Sequence, residues 1–110
     1  MTVSSRVRRQ LQERSEGYCE ACGLARANNA HHRKNRSQGG QDDLSNLLLL
    51  CGSGTTGCHG WITEHPAESY ENGRSVRQHR DPRDVPVLYR GLPVFLDDRG
   101  CMHDQKPGAA

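Results

Sequence analysis

Apolar residues are sparse along this chain and fall into short, separated groups, and those groups set the elements it can form. Ser4-Ser5 precedes a stretch in which Val7 and Leu11 are the only apolar positions before Gly17. This is the cap and narrow stripe of a helix over 4–16, one that can pack only lightly on a core. Gly17 to Gly23 reads as a tight turn, and 24–30 as a polar connector. Ala30 to Arg33 looks like a short strand, followed by a loop over 35–43 with Gly39-Gly40 at its centre. Asp42-Asp43 can cap a turn or short helix leading to Asn46. Leu47-Leu48-Leu49-Leu50 is a four-residue apolar run between polar loop and Cys51, which suits a buried strand better than a helix.

Gly52 to Gly57 reads as a flexible loop. A helix is expected from Cys58 or His59 to Glu64 or His65, stopped by Pro66. Ala67 to Asn72 adds a helical turn ended by Gly73. Val85, Val87 and Tyr89 alternate, as do Val94 and Leu96, with Gly91 and Pro93 between them. That is the pattern of an edge β-hairpin. One domain over 1–100 is expected, with a core at 17–66, the helix at 4–16 and an extension at 67–100. The stretch 101–110 reads as a disordered tail.

Composition shows what the pattern lacks. Only 33% of the 110 residues are hydrophobic, the mean hydropathy is −0.88, and there is one Phe and one Trp. So little apolar surface leaves a thin margin over chain entropy, and a staple is expected. Five cysteines offer disulfides or a metal. No apolar stretch follows Met1, so neither a secretory signal nor a membrane segment is expected. In a cytoplasmic chain the thiols stay reduced, which favours zinc.

Cys19 and Cys22 form a CxxC turn, and Cys51 and Cys58 complete a set of four soft ligands for tetrahedral zinc. The six residues between the last two are small and can loop out. A redox CxxC or unrelated buried thiols are the plainer alternatives. Cys101 stands apart as a free thiol without a role, and His79 and His103 read as ordinary surface or core residues.

The net charge of +2 and pI of about 8.4 are only mildly basic, but the charges cluster. Arg6, Arg8, Arg9 and Arg14 lie in the first helix, and Arg33, Lys34 and Arg36 follow a histidine pair. Such clusters suit phosphate contacts; solvated faces are the alternative. The first helix then either packs on the core or lies along a DNA backbone.

The remaining signal is His31-His32, then Asn46, then Cys58-His59, interleaved with the cysteines. With Gly39-Gly40 and the leucine run in the same order, residues 17–66 resemble the HNH endonucleases. The stretch from Trp61 to Tyr70 and the later hairpin also resemble small HNH proteins of actinobacterial phages and prophages. The resemblance implies an α+β fold: a ββα-metal (His-Me finger) domain with a four-cysteine zinc clamp, an N-terminal basic helix and a C-terminal β-hairpin. It implies a metal-dependent DNA endonuclease that hydrolyses phosphodiester bonds. His31 would be a metal ligand, His32 the general base, Asn46 the residue that holds the loop and orients the base, and His59 the second ligand. Magnesium, manganese or another divalent cation would serve catalysis beside the structural zinc.

A strand sends adjacent side chains to opposite faces, which already separates His31 from His32. The chain departs from the family at Thr63, where many members carry a third ligand one helical turn after the second motif histidine. His65 is the candidate substitute, or it contacts a phosphate, or it does nothing. Arg33, Lys34, Arg36, Arg8 and Arg9 are the candidate DNA contacts, with Arg33 the first choice to clamp the scissile phosphate. Trp61 is expected to pack under its helix. A role in phage DNA packaging beside a terminase, in the host cytoplasm and away from membranes, follows from the resemblance alone. Two other classes stay open: a zinc-bearing DNA-binding module without catalysis, and a structural zinc protein that binds another protein.

Overall fold

The computed structural model describes residues 3–107. Helix α1 (Ser5–Ser15) starts at Ser4, whose hydroxyl accepts the Val7 N–H at 3.3 Å. Its stripe is as thin as the sequence implies, yet Leu11 is fully buried, against Val3, Leu44 and Leu47. The helix therefore lies on the core. Glu16 and Gly17 then turn left-handed, and a knuckle follows. There Tyr18 bridges Arg26, the Cys19 N–H donates to the Ala25 carbonyl at 2.8 Å, and the Gly23 N–H donates to the Cys19 carbonyl at 2.8 Å.

Strand β1 (Asn29–His32) pairs antiparallel with β2 (Leu47–Leu50), so that His31 lies opposite Leu48 and His32 opposite Leu47. All four leucines of β2 are buried because both faces of the strand are covered. Leu48 and Leu50 pack with Cys19, Ile62, Val87 and Tyr89, while Leu47 meets Leu11 and Leu44. The connection between the strands doubles back on itself at Gly40. A Cβ there would lie 1.7 Å from the Lys34 carbonyl oxygen, so only glycine fits.

Helix α2 (Gly57–Glu64) follows β2 and completes a ββα unit; α3 (Pro66–Glu71) begins with proline at its first position. Strands β3 (Val87–Tyr89) and β4 (Leu92–Leu96) form the expected hairpin. The fold is α+β with two antiparallel sheets. Among the described residues no helix is long and apolar enough to cross a membrane.

The expected tail is ordered in part. Met102–His103 form β5 on β4, and the His103 Nε2–H donates to Asp97 at 2.7 Å. Residues 108–110 of that expectation lie outside the described residues. A two-residue strand has too little periodicity to be read from sequence.

Arginines do much of what the apolar residues cannot. Arg14 forms a bidentate pair with Glu20 at 2.7 and 2.8 Å, with the side chains 1% and 0% exposed, and also donates to the Leu44 and Leu47 carbonyls. Arg90 donates to the Cys19, Ser15 and Tyr18 carbonyls, tying the hairpin to the knuckle. Arg33, only 2% exposed, donates to four carbonyls: Gly73 at 2.8, Ser45 at 2.7, Pro82 at 3.1 and Val85 at 2.8 Å. Burial pulls its pKa down from 12.5 to about 9, so it remains charged at neutral pH. Arg33 is thus a structural hub and not the phosphate clamp that its place after the histidine pair suggests. Among the described residues no carboxylate pairs with it; carbonyl dipoles meet the charge.

Each carbonyl left unmet in a buried site costs about 1–3 kcal/mol. Arg33→Ala should therefore lower unfolding free energy by on the order of 3–5 kcal/mol, and Arg33→Lys should recover less than half, because an ammonium cannot span four acceptors. Urea denaturation of the metal-loaded protein measures both; a loss below about 1 kcal/mol for Arg33→Ala would show that the hub is not structural.

Candidate metal centre and histidine site

The knuckle carries Cys19 and Cys22, the end of β2 carries Cys51, and the first turn of α2 carries Cys58. Their sulfurs all lie within 4.8 Å of one another, and Cys22 and Cys51 Sγ are 4.0 Å apart. A tetrahedral ion with sulfur at about 2.3 Å sets its ligands about 3.8 Å apart, so the quartet fits such an ion. Backbone N–H groups aim at the sulfurs: Cys22 at Cys19, Leu24 at Cys22 and Cys58 at Cys51, each at 3.5 Å. Burial pushes the Cys51 and Cys58 thiols up. At Cys22 burial also pushes upward, but the Leu24 N–H and the neighbouring Cys19 and Cys58 outweigh it and bring the thiol from 9.0 to about 7. The four cysteines are positioned to bind a metal. Loop residues 53–56 accommodate the long spacing by closing on themselves, with the Ser53 N–H donating to the Thr56 carbonyl at 3.0 Å.

Register puts His31 on the face of β1 shared with Leu48, toward α2, and His32 on the face shared with Leu47. His31 meets His59 edge-on with ring centroids 5.5 Å apart. The His31 Nε2 lies 2.8 Å from the Arg74 carbonyl. A carbonyl only accepts, so Nε2 carries the proton and Nδ1 carries the lone pair. Burial, above all, lowers the His31 pKa from 6.5 to about 4, so the ring is neutral at pH 7. His59 Nδ1 is buried without a hydrogen-bond partner among the described residues. Two imidazoles meet here, one with a fixed lone pair and one with an orphaned nitrogen; both are donors that suit a divalent cation.

His32 is anchored differently. Its Nε2 lies 2.7 Å from Asp42 Oδ1, and Arg36 grips the same carboxylate at 2.9, 2.9 and 3.2 Å. The His32 hydrogen bond above all, with Arg36 beside it, outweighs desolvation and holds the Asp42 carboxyl below its ordinary value. Asn46, 1% exposed, fastens the intervening loop. Its Oδ1 accepts the Lys34 N–H at 2.8 Å, and its Nδ2 donates to the Lys34 and Gln41 carbonyls at 3.0 and 2.9 Å.

Other expected residues fall elsewhere. His65 donates from Nδ1 to the Trp61 carbonyl at 2.9 Å and stacks on the Trp61 ring at 4.4 Å. Among the described residues only the cysteine quartet converges as three or more ligands, so His65 does not join His31 and His59. Trp61 is 37% exposed and stacks outward on His65, where packing under the helix was expected. Thr63 donates back to the His59 carbonyl at 3.4 Å, one turn on from His59. Arg36 is engaged with Asp42, which removes it as an open phosphate contact. Arg8 donates to the Asn28 carbonyl at 3.1 Å from an exposed position; Arg9 is exposed, and Lys34 is half-buried. The large polar cleft beyond Asn46 balances Lys34, Arg80 and Arg83 against Asp43, Asp81 and Asp98, so it is no phosphate cradle.

Asp42 and the Arg74 carbonyl are the partners that sequence reasoning missed. The available signal was an Arg36–Asp42 charge pair flanking Gly39-Gly40, a spacing that a tight turn closes.

The purified chain should carry one metal ion per molecule in native mass spectrometry. Four thiolates around one ion contribute on the order of 10 kcal/mol to folding, so stripping by a strong chelator should abolish the thermal transition, as should Cys51→Ser. A stripped chain that melts unchanged would show that the quartet does not staple the fold.

No curated protein and no solved structure matches the chain. The family model described as HNH endonuclease matches residues 18–60. That span runs from the knuckle through His31-His32 and Asn46 to the first turn of α2, and over it the chain is similar to the HNH endonuclease family.

Proposed function

We propose that the protein is a metal-dependent DNA endonuclease that hydrolyses phosphodiester bonds, with zinc in the cysteine quartet and a second divalent cation at His31 and His59. The observation that carries this reading is the division of labour between adjacent histidines. His31 is neutral and tied to a carbonyl through Nε2, which leaves the lone pair on Nδ1. That is the state a ligand needs. His32 is tied to a carboxylate, which stabilises the imidazolium that forms when a base takes a proton.

The cation supplies positive charge at the scissile phosphate when bound. His31 and His59 would hold it, and Thr63, one turn on from His59, offers no imidazole, so a hard cation such as magnesium or manganese would suit the site. His32 takes the proton of the attacking water from the other face of β1, so the phosphodiester lies across the end of that strand. Asn46 keeps the adjoining loop in place. Exposed Arg6, Arg8 and Arg9 on α1, with Lys34, offer phosphate contacts that do not read bases. Arg14 and Arg33 are buried and Arg36 is paired. This thins the basic surface that a purely DNA-binding module would depend on and favours the catalytic reading.

Supercoiled plasmid should be nicked in the presence of magnesium or manganese, and His32→Ala should lose at least about 100-fold in rate, the usual scale of general-base catalysis, while keeping its zinc and its fold. Full activity in a folded His32→Ala protein would move the base elsewhere. Thr63→His should lower the manganese concentration needed for half-maximal cleavage about tenfold or more, the scale on which a change near a metal alters its affinity. If His65→Ala instead destroys manganese binding in the wild-type background, the two-histidine site is wrong.

A further inference from the structure

His32 and Asp42 sit near the surface, with side chains 17% and 37% exposed, and Arg36 beside them is 33% exposed. Ion pairs at such positions add little to stability, because water and salt screen them. Stability therefore does not account for a carboxylate held by both an imidazole and a guanidinium. Asp42 is also fixed through the backbone next to it, since the Asn46 amide donates to the Gln41 carbonyl at 2.9 Å. The chain of contacts runs from a fully buried amide, through one peptide unit, to a carboxylate, and then to one ring nitrogen.

We propose that Asp42 is a positioning residue that locks His32 in the tautomer protonated on Nε2, so that Nδ1 is the atom that accepts the proton of the attacking water. A carboxylate only accepts, so the 2.7 Å contact fixes the proton on Nε2. His32 Nδ1 makes no hydrogen bond among the described residues. It is also absent from the buried atoms left without partners, which are His59 Nδ1 and Tyr89 Oη, so it is open to solvent. In the step itself the water oxygen bonds to phosphorus as its O–H bond breaks. The proton goes to Nδ1, the P–O bond to the leaving oxygen breaks, and that oxygen takes a proton from solvent. The imidazolium is stabilised on its far side by the Asp42 charge and returns its proton to bulk water. What Nδ1 does rests on the nuclease reading above; the tautomer lock does not.

Two measurements separate these. Nitrogen-15 NMR of histidine-labelled protein at alkaline pH, with the His32 signal assigned by its loss in His32→Gln, reads the tautomer without any turnover. Wild type should show His32 protonated on Nε2 alone, and Asp42→Ala should show a mixture; an unchanged tautomer in Asp42→Ala overturns the lock. Plasmid cleavage then reads its consequence. Asp42→Ala and the isosteric Asp42→Asn should each lower kcat about 10- to 100-fold with KM little changed, as part of the general-base contribution, and Asp42→Glu should recover most of it. Melting temperature and zinc content show that each variant is folded, and Asp42→Asn, which keeps the loop's shape, covers the case in which alanine does not fold. Wild-type kcat in a folded Asp42→Ala or Asp42→Asn protein overturns the catalytic role. A wild-type protein that cuts no DNA with any divalent cation, yet shows the locked tautomer, overturns the nuclease reading and leaves the lock standing.

Discussion

The Arg33 guanidinium is the contact on which the arrangement of this chain depends. It follows the histidine pair directly, so whatever fixes Arg33 fixes the end of β1. Its four carbonyl acceptors come from the turn before β2, the end of α3 and the segment leading into β3. The backbone at Arg33 adds two more ties, with its N–H donating to the Asn46 carbonyl and its carbonyl accepting the Val76 N–H, both at 2.8 Å. One side chain thus joins the ββα unit to the C-terminal extension. A chain this poor in apolar residues gains through charge-assisted hydrogen bonds the long-range connectivity that a larger protein obtains from its core. Arg14 and Arg90 repeat the device on either side of the knuckle.

The same anchoring separates the two histidines chemically. They are neighbours in sequence and lie on opposite faces of β1, and their Nε2 atoms are met by acceptors of different charge. A neutral carbonyl with heavy burial holds His31 uncharged, whereas a carboxylate at the solvent boundary accepts the Nε2–H of His32. Neither acceptor belongs to β1 or β2. Arg74 comes from the extension and Asp42 from the loop that Asn46 fastens, so the strand pair supplies positions and the surrounding segments supply chemical character.

Elements with strong local signals were legible in the sequence. The leucine run could only be a strand covered on both sides, and Ser4, Pro66 and Gly73 marked helix ends by their backbone chemistry. The cysteine spacing predicted the quartet, because a CxxC turn offers two ligands from one backbone bend and a second cysteine pair completes the four. Arginine was the residue type that misled. In sequence, Arg14, Arg33 and Arg36 look like their exposed neighbours Arg8 and Arg9. Whether a guanidinium meets solvent, a carbonyl or a carboxylate is decided by segments tens of residues away. Asp42 shows the same limit: it read as a helix cap, yet its carboxylate turned to a histidine on the strand before. Trp61 and His65, four apart at the end of α2, were assigned separately although a stacked pair needs both.

The Arg33 hub has a consequence for how such a sequence can diverge. Its acceptors are main-chain oxygens, and those of Ser45, Gly73, Pro82 and Val85 are the same atom whichever side chains stand there. Substitution at most of these positions leaves the hub's recognition intact, while a shift in the path of any of the three segments does not. Gly73, with φ 77 and a would-be Cβ 1.9 Å from the Pro86 oxygen, is the exception that cannot drift. Lineages carrying this architecture are free to scatter in composition around a single fixed cation, and they would be recognised by chain geometry long after letter-by-letter likeness had faded.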